Sequence, residues 1–302
     1  MGKLSINFLM NIKELSSNYI DHIENIKRYS PHTVKSYRTD LNQFTDFCAG
    51  KKKTDVDKIS EKFIKSYLMK LSEDNLDKRS IARKLAVIRG LFDLAFKDEV
   101  IKTNPAALIK NPKSVKKLPD IASSSEIMET FHEAEKIEKD AAQVKVIFEL
   151  LYGSALRVSE LCNLNRADID LERKTLRVTG KGNKIRIVPI GDKSIETLRN
   201  YLSKFPIKSS NEPLIKTKKG GRIYPRLVHR IVNKYLALVT DIKKKSPHVL
   251  RHSAATHMLD SGADIMAVKE ILGHENLSTT QIYTHVSIER LKAAYKKSHP
   301  KS

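Results

Sequence analysis

The sequence predicts a mainly α-helical chain: an N-terminal helical bundle, then an α+β domain that carries one small β-sheet. Three observations support this. Apolar residues recur at helical spacing through the first hundred positions, a stretch broken by Pro105, Pro112 and Pro119 follows, and two β-branched segments, 175–179 and 185–190, then stand among further helical patterns. The expected division is residues 1–104 for the bundle, 105–125 for a basic linker and 126–302 for the second domain. At 302 residues the chain is long enough for each part to bury its own core.

The bundle is read from its periodicities. A short helix is expected over 12–26. Ser30-Pro31 then places a capping hydroxyl before a proline at the first helical position, and Val34, Tyr37, Leu41, Phe44 and Phe47 follow on one face. Phe63, Ile64, Tyr67, Leu68 and Leu71 mark another helix. Ile81, Leu85, Ile88, Phe92 and Ala95 mark the next, whose opposite face carries Arg79, Arg83, Lys84 and Arg89. The linker adds Lys110, Lys113, Lys116 and Lys117 to its prolines, as suits either a tether or a strap lying along a polyanion.

The second domain opens at Ser125 with a helix and runs through Val144, Ile147, Phe148 and Leu151 to Gly153. The two β-branched segments flank Lys181-Gly182-Asn183-Lys184, a strand, turn and strand signature. Helices are then expected over 195–202, 225–239, 247–259 and 265–272. A short helix capped by Ser278 carries Tyr283, and 288–297 forms a final amphipathic one.

Formal charge is +21, of which residues 1–110 contribute +7 and the remainder +14. Excess spread over both parts suits a protein that grips nucleic acid from two sides, although a generally lysine-rich composition would also raise it. No stretch is long and apolar enough to span a membrane, and the first residues lack a signal peptide's hydrophobic region, so a cytoplasmic protein is expected. Cys48 and Cys162 are far apart, which excludes a disulfide framework and a cysteine zinc site; both read as small buried hydrophobes.

The chemistry concentrates in a few scattered side chains. His248 and Arg251 lie three residues apart just after Ser246-Pro247, on one face near the positive end of a helix. Leu250, Ala254, His257 and Met258 form a different, core-facing stripe, so His257 reads as a packed histidine, and His252 has no assigned role. Attack on a phosphodiester builds charge on two non-bridging oxygens, which a pair of arginines binds with forked hydrogen bonds, and Arg157 with Arg251 fits that need. Glu160, one turn past Arg157, is placed to orient its guanidinium or to be an ordinary surface partner. Lys181, at the turn between the strands, is a candidate proton donor to a leaving alkoxide, although such turns are commonly solvated loops. Tyr283 is the candidate nucleophile. Its phenol, with an ordinary pKa of about 10, needs a base or a strongly cationic site, and His248 is the candidate base, with His274 after Gly273 as a further phosphate ligand. The histidines lack carboxylate or thiolate company at ligand spacing, and no glycine-rich nucleotide loop is present, so neither metal nor cofactor is expected.

Arg157, Lys181, His248-x-x-Arg251, His274 and Tyr283 together resemble the tyrosine recombinase (phage integrase) family in identity, order and spacing. The words GSALRVSEL, GKGNKIRIVPI, HVLRHSAATHML and ILGHENLSTTQIYTHV are similar to its XerC/XerD-like branch, and SPHTVKSYRTDLNQF to the N-terminal DNA-binding domain of that branch. The resemblance implies a C-shaped clamp on duplex DNA, with four protomers holding two sites. Tyr283 would form a 3′-phosphotyrosyl link and free a 5′-hydroxyl that attacks the partner duplex to give a Holliday junction; because that link conserves the energy of the broken bond, no ATP is required. By motif position Arg157 and Arg251 stabilise the transition state, Lys181 protonates the leaving oxygen, His248 is acid and base, His274 supports the phosphate, and the tail 287–302 docks on a neighbouring protomer. Ala155 stands where the branch often has glycine, and Ile185 where an acidic residue is common. The implied role is resolution of chromosome dimers with a second Xer-type recombinase and a septal DNA translocase. The alternatives are an integrase or invertase of a mobile element, or a catalytically inert DNA-binding protein on the same fold.

Overall fold

The computed structural model describes residues 10–112, 120–137 and 141–273, which fall into two compact units divided between Lys117 and Leu118. In the first unit, α1 (Ile12–Asp21) starts at Asn11, whose side chain accepts from the Lys13 amide, and continues into a π-helical turn, His22–Ile26. Helix α2 (Pro31–Gly50) starts as its sequence dictates: the Ser30 hydroxyl accepts from the Thr33 amide, and Pro31 occupies a position where a helix has no use for an N–H. Ser60 and Asp77 cap α3 (Glu61–Glu73) and α4 (Lys78–Lys97) in the same way. Their apolar stripes meet in a core of Leu41, Phe44, Ile64, Leu85, Ile88 and Phe92, where the Phe44 ring meets Tyr67 and Phe92 edge-on at centroid distances of 5.2 and 6.4 Å.

The basic face expected on α4 is partly spent inside this unit. Lys84 is buried and donates to Asp40 at 2.7 Å, with Arg83 on the other carboxylate oxygen. Arg89 reaches the carbonyls of Ala106 and Ile109. Ala106 and Ile109 are themselves buried, so the chain after α4 is pinned to the bundle as far as these anchors despite Pro105.

In the second unit, α5 (Ser124–Ile137) is preceded by Ser123, whose hydroxyl accepts from the Glu126 amide while Glu126 accepts from the Ser123 amide. Helix α6 (Ala142–Phe148) runs into a π-helical turn, Glu149–Gly153, and the short α7 (Val158–Asn163) follows. The sheet is antiparallel in the order β1 (Ile169–Asp170), β2 (Thr175–Thr179), β3 (Ile185–Pro189), with Leu176 opposite Val188 and Val178 opposite Arg186. Strand β1, two residues long, is an element the sequence pattern does not announce. Next come α8 (Asp192–Lys204), α9 (Pro225–Val239), α10 (Pro247–Asp260) and α11 (Ile265–Leu272).

Helix α10 lies against the Glu149–Gly153 turn and is buried on more than one face, with Val249, Leu250, Arg251, Ser253, Ala254, Ala255 and Met258 all enclosed. Ser246 stands at its N-cap without a side-chain cap bond, and Pro247 begins it. Both cysteines are buried, and burial pushes their thiols up, to about 12 for Cys48 and about 11 for Cys162, which keeps them inert. The two helices expected beyond residue 273, with the Ser278 cap and the docking tail, lie outside the described residues.

Candidate active site

Glu160 is the hub of the second unit's polar interior. Its side chain is 3% exposed and is held by arginines from three separate segments. Arg157 occupies the N-cap of α7; its backbone amide donates to one Glu160 oxygen at 2.8 Å and its guanidinium to the other at 2.7 Å. Arg186, on the inward face of β3, grips both oxygens with a fork of 2.7 and 2.9 Å. Arg251, from the first turns of α10, approaches to 3.7 Å.

The turn before α7 sets the second contact of Arg251. Ala155 adopts a left-handed backbone conformation, φ 48°, and its carbonyl accepts from the Arg251 guanidinium. A glycine would take this conformation more easily, so the one departure from the family pattern in this word falls where the backbone is least suited to a side chain.

The end of α11 completes the cluster. A helix leaves its last carbonyls without intrahelical donors, and here three successive ones are each taken by a different arginine. Ile271 accepts from Arg186 at 3.0 Å, Leu272 from Arg251, and Gly273 from Arg157 at 3.0 Å. Gly273 has φ 61°, and a Cβ there would lie 3.1 Å from the Arg186 side chain, so both conformation and space call for glycine.

Electrostatics follow from this geometry. Burial alone would raise the Glu160 carboxyl, but the hydrogen bonds and charge of Arg186, then the bonds from Arg157, hold it at about 2. Arg251 is pulled down to about 10 by burial and by Arg157, which leaves it charged at neutral pH. His248 lies exposed near the start of α10, and its pKa is lowered by partial desolvation and by the nearby charges of His229, Arg251 and Arg157. The imidazole is thereby kept neutral and able to accept a proton.

The structure thus brings Arg157 and Arg251 together around Glu160, with His248 within their electrostatic reach. The backbone of Lys181 begins the turn between β2 and β3, and at the preceding Gly180 a methyl would meet Arg186 at 3.5 Å and Glu160 at 3.6 Å, so the hairpin base runs beside the cluster. The side chain of Lys181, and all of His274 and Tyr283, lie outside the described residues. His257 is half-buried and its Nδ1 lies 2.9 Å from the Tyr152 hydroxyl and 3.2 Å from that of Ser124, a packing role. Among the described residues no three metal-binding side chains gather, and no helix is long and apolar enough to cross a membrane. Sequence reasoning missed Arg186. Its signal was parity, since it shares a strand face with Val188, where a charged residue must find a buried partner.

Residues 122–290 match the phage integrase family, and residues 17–99 the phage integrase N-terminal SAM-like domain. The chain belongs to the phage integrase family of tyrosine recombinases. Among its relatives are the tyrosine recombinases XerC of Pelobacter propionicus, 41% identical with 93% of each chain covered, and of Chlorobaculum parvum, 36% identical with 93% of each covered. The fold is shared with the Tn1549 transposon integrase in complex with transposon right end DNA, at TM-score 0.71 and 18% identity over 93% of this chain and 98% of that one. It is shared also with a lambda integrase dimer bound to a COC' core site, at TM-score 0.72 and 17% identity over 91% of this chain and 99% of the other. The expected fold and enzyme class are therefore established: a mostly helical, site-specific tyrosine recombinase that transfers DNA strands.

Proposed function

We propose that this enzyme is an Xer-type recombinase that binds a double-stranded recombination site and breaks each strand by attack of Tyr283 on the scissile phosphate. The observation that carries the reading is the convergence of Arg157 and Arg251, from distant segments, on one buried carboxylate and on adjacent carbonyls at the end of α11. Two guanidiniums so held can bind the two non-bridging oxygens of a phosphodiester without reorganising as charge builds. His248, kept neutral, takes the tyrosine proton and later returns it; Lys181 protonates the leaving 5′-oxygen; His274, next in the chain after Gly273, adds a bond to the phosphate. The product is a 3′-phosphotyrosyl link, and attack on it by the partner duplex gives a Holliday junction.

Four protomers on two sites, a second Xer-type recombinase, a septal DNA translocase and a cytoplasmic setting complete the reading, with chromosome dimer resolution as the role. The XerC relatives, 35–41% identical over nearly the whole chain, favour it over a mobile-element integrase. We likewise take residues 1–104 as the core-binding domain, 126–302 as the catalytic domain and 105–125 as the connection between them, its start packed on the first unit through Ala106 and Ile109 and its end on the second through Ala122. A DNA substrate nicked beside the cleavage position should trap a covalent complex with the native chain. Tyr283→Phe should bind the same DNA and trap none; covalent trapping by that variant would refute the nucleophile.

A further inference from the structure

Building on that reading of Arg157 and Arg251 as the phosphate-binding pair, we propose that Arg186 is a positioning residue for strand cleavage, holding Glu160 and the last turn of α11 so that both guanidiniums keep a fixed aim. Arg186 is 7% exposed at its side chain, so it acts on the phosphate through its neighbours. All three of its guanidinium nitrogens are committed: two to the oxygens of Glu160 and Nε to the carbonyl of Ile271. Arg157 and Arg251 rest on the same two supports, the Glu160 carboxylate and the carbonyls of Gly273 and Leu272. Arg186 is therefore the brace that ties one support to the other. The fit is tight, since even a methyl on Gly273 would press on its side chain at 3.1 Å.

Charge alone predicts the opposite of a brace. Removing one of three cations around a single carboxylate would relieve repulsion on Arg251, whose protonated form Arg186 disfavours. If Arg186 merely balanced charge or stabilised the fold, its loss would leave the cleavage step intact in the surviving folded protein. If it is a brace, the loss falls on the chemical step, because the two remaining guanidiniums lose their common reference. Lysine is an informative substitute, as one ammonium cannot form the planar fork to Glu160 and also reach Ile271.

The test is single-turnover cleavage of a nicked suicide substrate by the full-length chain, at saturating DNA and well below the melting temperature, across a pH series. Arg186→Met should cleave at least about a hundredfold more slowly with unchanged DNA affinity, and Arg186→Lys about tenfold more slowly, by comparison with removing one donor from a preorganised site. A second acid limb, below the one set by His248, should also appear at higher pH in Arg186→Met than in the native chain, since Glu160 loses its strongest partner. A folded Arg186→Met that cleaves at the native rate and with the native pH profile would overturn the proposal, as would a loss confined to DNA affinity. Should the methionine variant not fold, a native cleavage rate in Arg186→Lys overturns it equally. A native chain that traps no covalent complex would instead defeat the underlying assignment of Tyr283 and the arginine pair.

Discussion

Exchanging Glu160 for glutamine keeps the shape of the side chain at the centre of the site and removes its charge. In the native chain the carboxyl is held at about 2 against an ordinary 4.5, the bonds and charge of Arg186 and then the bonds from Arg157 outweighing the cost of burial. At about 1.4 kcal/mol for each pKa unit, this preference for the ionised form contributes about 3 kcal/mol of stability at neutral pH. Glutamine cannot supply it, and its amide turns two hydrogens toward guanidiniums that have only hydrogens to offer. In a domain of this size a loss of about 3 kcal/mol should lower the melting temperature by roughly 6–12 °C. The pH dependence has a definite sign. Because the folded-state pKa lies below the unfolded one, the contribution is complete above about 4.5 and disappears as pH falls through about 2. Melting temperatures of Glu160→Gln and the native chain, followed by circular dichroism from neutral to acid pH, should therefore differ most at neutral pH and converge at the acid end. Equal melting temperatures at neutral pH, or a gap that stays constant into acid, would show that the carboxylate is not the counter-charge of the arginine cluster.

Three further outcomes are expected. Ala155→Gly relieves a left-handed conformation that costs a non-glycine residue about 1 kcal/mol, offset in part by about 0.5–1 kcal/mol of glycine's chain entropy. The variant should fall between neutral and about 0.5 kcal/mol more stable by thermal melting, with unchanged cleavage, and a clear destabilisation would contradict the strain. Asp40→Ala leaves the buried Lys84 ammonium with the neutral Gln43 side chain and no counter-charge, and should cost about 3–5 kcal/mol in urea unfolding, whereas Asp40→Leu combined with Lys84→Met should recover most of it. A mild effect of the single change would mean that water reaches the pair. His248 has a lowered pKa, so if its neutral form is the base, cleavage should fall only as pH drops below the ordinary imidazole value of about 6.5. That limb should vanish from the residual rate of His248→Gln; its survival there would assign it to another group.

The helices were legible because their caps and apolar periods are local. Ser30-Pro31 and the face of Leu41 and Phe44 specify α2 without any tertiary information, and the β-branched alternation on either side of the Gly182 turn specifies β2 and β3. Strand β1 was not legible, since two residues have no period and this pair becomes a strand only by bonding to β2. The basic face of α4 illustrates the limit of charge patterns: Lys84 occupies a helical position that looks solvent-facing, yet Asp40, more than forty residues away, draws it inside. In the site, the arginines at positions 157 and 251 and the histidine at 248 could be chosen by type and spacing. That Glu160 is their shared anchor, and that Arg186 is its strongest partner, depends on packing β3 against the end of α11, which no local pattern encodes.

Three guanidiniums around one carboxylate leave an excess of positive charge in a largely buried place, and that excess must be stabilised by something other than ions. The end of α11 does this. Its last carbonyls carry the negative end of the helix dipole and lack intrahelical donors, so each arginine that accepts Glu160 as a neighbour also finds a carbonyl to bond. Two requirements, satisfying a helix terminus and restraining a cluster of cations, are met by the same contacts. The cluster still carries net positive charge, for which a phosphodiester is the fitting counter-ion. Because the anchoring carbonyls immediately precede His274 in the chain, the arginines' aim and the starting point of the segment that leads to Tyr283 are set by one set of bonds. A displacement of the end of α11 should therefore reach Arg157 and Arg251 together with Arg186 on β3, and substitutions that loosen Gly273 should impair cleavage at full DNA occupancy.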